Sequence, residues 1–136
     1  MVENVSPTQT WEALRADPTA RLVDVRTDVE WDSVGVPDTS ETGTDPILIQ
    51  WQTAPTMQVN AAFVEQLRQA GLTPEHTLFF ICRSGARSMA AAQAAARAGF
   101  ARAYNVAEGF EGAPNMLGRR GAVSGWKAEG LPWRRR

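Results

Sequence analysis

Four short apolar runs, separated by stretches whose apolar residues recur at helical spacing, set out the organisation of this chain. "RLVDV" (Arg21 to Val25), "ILIQW" (Ile47 to Trp51), "TLFFI" (Thr77 to Ile81) and "AYNV" (Ala103 to Val106) are compact and rich in β-branched or aromatic residues, so they read as strands. Between them, Trp11 and Leu14 share one face of a short helix that stops before Pro18. Its start carries a capping box, with Ser6 as cap, Pro7 in the first turn and Gln9 three residues on. "TDVEWDS" has room for one or two helical turns. Asn60 is placed to cap a helix through Phe63, Val64 and Leu67, stopping at Gly71. An alanine-rich helix is expected over 88–98, closed by Gly99, and one more turn within "GWKAEGLPW". Residues 35–46 and 107–125 are dominated by loop-forming residues. Strands alternating with helices predict an α/β fold, a parallel sheet covered on both faces. With no repeat and no linker, residues 1–136 form a single domain with its core over about 4–133.

Composition narrows the function. Apolar residues make up 43% and charged residues 21% of 136, and the net charge of −1 gives no reason to expect nucleic acid as a partner. The terminal Arg134, Arg135 and Arg136 read as a solvated, frayed tail. No apolar run is long enough to cross a membrane. The N-terminus has neither the basic nor the apolar region of a secretion signal, so the sequon at Asn4 is treated as chance. A single cysteine forms no internal disulfide, and a reducing, cytoplasmic location is the economical expectation.

That cysteine, Cys82, follows directly after the strongest strand, at the carboxyl edge where α/β sheets collect their ligands. A cysteine at a strand end is commonly a packed core residue. The residues around Cys82 argue for chemistry, because the thiolate is the nucleophile and they favour the charged form. Arg83 and Arg87 bring two permanent positive charges, and the following helix directs its positive end at the loop. Ser84, Gly85, Ala86 and Ser88 leave the backbone free to turn its N–H groups inward as an anion nest. The seven alanines of "SMAAAQAAARA" let that helix approach the sheet closely. Such a constellation suits attack on an oxyanion with a sulfur, phosphorus or arsenic centre.

The loop "CRSGARS" resembles the active loop of the rhodanese family: a Cys, four residues, an Arg, then a Ser opening a helix. "LVDVRTDVEW" resembles the family's first motif, with Asp24, Arg26, Glu30 and Trp31; "YNVAEGF" and "GWKAEGLPW" resemble its last strand and closing signature. The chain departs from the family at "VGVPDT", which lacks the usual His, and in a longer stretch over 112–125. The resemblance implies a rhodanese-like three-layer α/β/α domain with a mainly parallel central sheet. It also implies a sulfurtransferase using neither cofactor nor metal. Cys82 would carry a persulfide between a small sulfur-containing anion such as thiosulfate and an acceptor: cyanide, a thiol or a protein. Arg83, Ser84, Gly85, Ala86, Arg87 and Ser88 would bind the donor, with Arg87 orienting the loop and Arg83 adding potential at its mouth. Asp24 and Arg26 would support the floor of the site, with Glu30 as a partner for Arg26. Related cysteine-dependent phosphatases and arsenate reductases resemble a loop with five residues before the Arg, so the four found here favour sulfur. A persulfide carrier for a partner protein uses the same Cys82. His76 reads as a loop residue, and Trp51, Phe110 and Trp133 as core.

Overall fold

A computed structural model describes residues 2–136 of the chain. Five parallel strands form the central sheet: β1 (Glu3–Val5), β2 (Ala20–Asp24), β4 (Ile47–Leu48), β7 (Thr77–Ile81) and β8 (Ala103–Val106). Their order across the sheet is β1-β8-β7-β2-β4. The helices are α1 (Pro7–Ala16), α2 (Asp28–Val34), α3 (Phe63–Gln69) and α4 (Ala86–Arg97). Two small antiparallel pairs complete the fold: β3 (Val36–Pro37) with β9 (Trp133–Arg134), and β5 (Gln52–Thr53) with β6 (Gln58–Val59).

The period-two alternation of β7 divides the core. Leu78 and Phe80 pack with Phe63 and Leu67 of α3 and with Ala91, Ala92 and Ala95 of α4. Phe79 and Ile81 pack on the opposite face with Leu14 of α1, Phe110 and Trp126. This is the three-layer α/β/α arrangement the sequence predicts. Each fully buried Leu, Ile or Phe of β7 contributes roughly 1.5–3 kcal/mol of transfer free energy, which explains why this strand is the most legible in the sequence.

Ser6 Oγ accepts the Gln9 N–H and Gln9 Oε1 accepts the Ser6 N–H, as the capping box predicts. Thr27 and Glu30 repeat the device at the start of α2. Strands β7 and β8 have the predicted limits. Strand β4 is shorter in the ladder, although Ile49 N–H and Trp51 N–H still donate to Asp24 and Val25 carbonyls at 3.1 Å each. Helix α4 begins at Ala86, two residues earlier than expected, because Gly85 caps it. Helix α3 is capped at Ala62, and Asn60 instead accepts the Ala62 N–H while its amide donates to Gln50 O and Gln66 Oε1.

The frayed tail is corrected. Arg134 pairs with Val36 in the β3–β9 ladder, Arg135 donates to Ser33 O at 2.7 Å, and Arg136 lies 3.6 Å from Asp32. Trp133 is 38% exposed rather than core, sandwiched against Lys127, whose ammonium stands 3.8 Å from its ring centre. Phe110 is fully buried, and Trp51 packs edge-on against Phe63 at 5.2 Å. His76 sits in the turn before β7, with its Nδ1 accepting the Thr73 N–H.

Candidate active site

Cys82 continues the alternation of β7 by one residue, so its side chain points toward the α3–α4 side and is 1% exposed. Its sulfur is surrounded by donors. Gly85 N–H donates to Sγ at 3.1 Å and Ser88 N–H at 3.3 Å, while Ser88 Oγ lies 3.2 Å away. The N–H groups of Ala86 and Arg87 belong to the first turn of α4, where no intrahelical acceptor exists. Two backbone donors and one hydroxyl thus meet the sulfur at the positive end of a twelve-residue helix. Of the expected residues 83–88, Gly85 and Ser88 contact the sulfur directly.

Two glycines make this ring possible. Gly85 has φ +112°, and a Cβ there would lie 2.1 Å from Ala107 O. Gly109 has φ +68°, and a Cβ there would lie 2.5 Å from Arg83 O and 2.7 Å from Cys82 O. The approach at Gly109 lets segment 110–112 take up the carbonyls of the active loop. Phe110 N–H donates to Cys82 O at 2.8 Å, and Glu111 and Gly112 N–H donate to Arg83 O at 3.0 and 3.1 Å. With these carbonyls bound by the 110–112 segment, the N–H groups of Gly85 and Ser88 reach the thiol.

Behind the ring lies a polar relay that sequence reading missed. Ser88 Oγ lies 2.5 Å from Asn105 Oδ1, and Asn105 Nδ2 donates to Gly85 O at 3.1 Å and to Asn4 Oδ1 at 3.0 Å. Asn4 thus ties the edge strand to the site. The signal was present in "AYNV", where a buried amide interrupts an apolar strand; burying it without partners costs a few kcal/mol. With one hydroxyl proton, Ser88 donates to one of Asn105 Oδ1, Gly85 O at 3.2 Å and the sulfur, so it can follow the charge on Cys82.

The expected partner of Arg26 is corrected. Glu30 grips Arg87 through both ends of its fork, Nη1 to Oε1 at 2.7 Å and Nη2 to Oε2 at 2.9 Å. Arg26 pairs with Asp24, Nη2 to Oδ2 at 2.7 Å, and also donates to Gly35 O at 2.8 Å; both side chains are fully buried. The Arg26 guanidinium lies 4.2 Å from the centre of the Phe110 ring. Asp24 and Arg26 therefore join strand β2 to the 109–112 segment as supports. Arg83 is half exposed and lies 3.9 Å from Glu111.

Burial opposes the charge on Glu30, but the hydrogen bonds and charge of Arg87, with the Thr27 bonds, hold its pKa below the usual value. Arg87 is raised by its hydrogen bond to Glu30, against burial, and further by the negative charge of Glu30, Cys82 and Asp24. A depressed carboxylate contributes stability that is complete above its unfolded pKa and lost as pH falls through the folded one. Glu30→Gln keeps a capping side chain and deletes the charge. It should destabilise the protein by about 1–3 kcal/mol at neutral pH. The gap to wild type should close in acid below the carboxylate range, read by urea unfolding at a series of pH values. A gap that stays constant into strong acid would remove the ion pair from this account.

No helix among the described residues is long and apolar enough to cross a membrane, and no cluster of His, Cys, Asp and Glu suited to a metal occurs among them. A cavity of about 490 Å³ is lined by Trp31 of α2, by Ile49, Gln50 and Asn60, and by Gln66 of α3, with no residue of the Cys82 loop among its walls.

Comparison with known proteins gives the arrangement a context. The family model described as the STR4 middle domain matches residues 2–136. The uncharacterized protein RC0915 of Rickettsia conorii is 34% identical over 133 residues, 97% of each chain. The crystal structure of Rv0390 from M. tuberculosis is 43% identical, with a TM-score of 0.90 over 99% of this chain and 98% of that one. The polysulfide-sulfur transferase homodimer of Wolinella succinogenes is 24% identical, with a TM-score of 0.66 over 99% of this chain and 80% of its own. A rhodanese-related protein of Thermoplasma volcanium is 19% identical, with a TM-score of 0.58 over 98% and 99%. The last two share the fold alone.

Proposed function

The chain belongs to the STR4 middle-domain family and is rhodanese-like, and from that premise we propose that it is a sulfurtransferase working through a persulfide on Cys82. The observation that carries this reading is the ring of Gly85 N–H, Ser88 N–H and Ser88 Oγ around one buried sulfur. The thiolate attacks the outer sulfur of a thiosulfate-like donor; an S–S bond forms to Sγ, the donor S–S bond breaks, and sulfite leaves with its electron pair. An acceptor nucleophile then attacks the terminal sulfur, and the pair of the broken bond returns to Sγ. Splitting the transfer in this way replaces one hard step by two easier ones.

The first-turn N–H groups of Ala86 and Arg87 would receive the terminal sulfur, whose negative charge the helix end also favours. Arg87, fixed by Glu30, holds the loop to α2, and Arg83 attracts the anionic donor at the mouth. The four-residue ring and the 1% exposure of the thiol suit delivery of a single sulfur atom. Neither step calls on a metal or an organic cofactor.

Incubation with thiosulfate should add one sulfur to the intact protein, removed by cyanide and absent from Cys82→Ser, as read by intact mass. Wild-type protein without this adduct, or an adduct that persists in Cys82→Ser, overturns the reading. Faster hydrolysis of an aryl phosphate than sulfur transfer would favour a phosphatase.

A further inference from the structure

The stretch 112–125 is a hydrogen-bonded structure that displays apolar side chains at its tip. Met116 is fully exposed, and Leu117 is 78% exposed. Beneath them, the Asn115 side chain accepts the N–H groups of Leu117 and Arg119 at 2.9 Å each. Asn115 N–H donates to Arg119 O at 2.7 Å, and Gly118 N–H donates to Asn115 O at 2.9 Å. At the base, Gly121 N–H donates to Glu111 O at 2.7 Å, and Arg120 Nη1 donates to Gly112 O at 2.6 Å. Glu111 and Gly112 are the residues whose N–H groups hold Arg83 O. A continuous bonded path therefore runs from the loop around Cys82 to Met116.

We infer that this loop is a docking element for an acidic protein thiol that accepts sulfur from Cys82, a proposal that rests on the sulfurtransferase reading. Exposed Met and Arg are the side chains that interface centres favour, and a tip already ordered loses little entropy on binding. Arg119 and Arg120 make no ion pair among the described residues, and half-exposed Arg83 meets only Glu111, at 3.9 Å. The loop thus carries an exposed Arg119 and a half-buried Arg120 with no acidic side chain against them, a charge that an acidic partner complements. Two apolar side chains bury too few methylenes to hold a membrane.

Docking also answers a geometric need. Cys82 is 1% exposed, so an acceptor sulfur must enter a narrow mouth in line with the persulfide bond, and orientation by a second contact accelerates that encounter. In the transfer, the partner thiolate attacks the terminal sulfur and leaves as a persulfide. The electron pair of the broken S–S bond returns to Sγ, with no net oxidation.

The test loads Cys82 from thiosulfate and follows discharge to cyanide and to reduced thioredoxin, used as an acidic protein thiol. Met116→Ser/Leu117→Ser and Arg119→Glu should each slow discharge to thioredoxin by at least about tenfold, while cyanide discharge stays within about twofold of wild type. Equal rates to thioredoxin in all three proteins, or an equal loss toward cyanide, overturn the docking role. Binding of wild type to phosphatidylglycerol vesicles that the Ser variant loses would assign the tip to a membrane and overturn it as well. Failure of wild type to load sulfur at all removes the sulfurtransferase reading, and this proposal with it. Normal loading with loop-independent discharge removes only the proposal.

Discussion

Gly85→Ala should lower sulfur transfer by at least about 100-fold, the scale on which losing one preorganised donor in an anion hole is felt. The added methyl group would sit 2.1 Å from Ala107 O, a backbone atom in the segment that joins β8 to the 109–112 clamp. At φ +112° the new side chain is also strained by about 1–2 kcal/mol, whatever space is made for it. The loop must therefore move, and Gly85 is the residue least free to do so. Its N–H donates to Sγ, and its carbonyl accepts from Asn105 Nδ2 at 3.1 Å. Displacement breaks the thiol ring and the Asn105 relay together. Cyanide-dependent turnover and persulfide loading measure the loss, and near-ultraviolet circular dichroism checks that the core persists. Turnover close to wild type would show that the ring around Cys82 does not carry the activity.

Asp24→Ala should cost about 3–5 kcal/mol of stability, the penalty for leaving one charge of a buried pair without its partner. Arg26 is fully buried, and Asp24 receives its Nε at 3.0 Å and its Nη2 at 2.7 Å. Without Asp24 the guanidinium retains only Gly35 O and the Phe110 face. Domains of this kind are stable by about 5–15 kcal/mol, so the loss falls on a substantial share of the total and lowers Tm by more than about 10 °C. Replacing both residues, as in Asp24→Leu/Arg26→Met, should recover part of it, because no buried charge then remains unpaired. Chemical unfolding of the single and double variants gives the comparison. A double variant no more stable than Asp24→Ala would mean that packing, not charge, governs the position.

The strands and the cysteine loop were legible in the sequence for a common reason: local composition determines them. "TLFFI" is a strand because each of its side chains but the first is buried on one face or the other. The loop can be read because Gly85, the flanking small residues and the helix formers of α4 all act within a few positions of Cys82. Elements resting on distant pairing were not legible. Strand β1 is three residues long and exists through its ladder with β8, nearly the whole chain away. Strand β9, within a stretch that reads as a solvated tail, is held by Val36 and Pro37.

The choice of ion-pair partners shows the same division. Asp24, Arg26, Glu30 and Arg87 are all visible as candidates, yet spacing along the chain places Glu30 nearer to Arg26. In the fold, Asp24 and Arg26 lie two residues apart and turn inward together, while Glu30 meets Arg87 from 57 residues away. Local residue pattern was enough for the parallel α/β fold, the thiol at the edge of its best strand, and the small-residue loop with its helix. Tertiary structure alone decided which donors reach the sulfur, which charges neutralise one another and where 112–125 is anchored. Turns, strands and helix ends are set by neighbouring residues, whereas a buried hydrogen bond or ion pair is set by whatever the packed chain brings within about 3 Å.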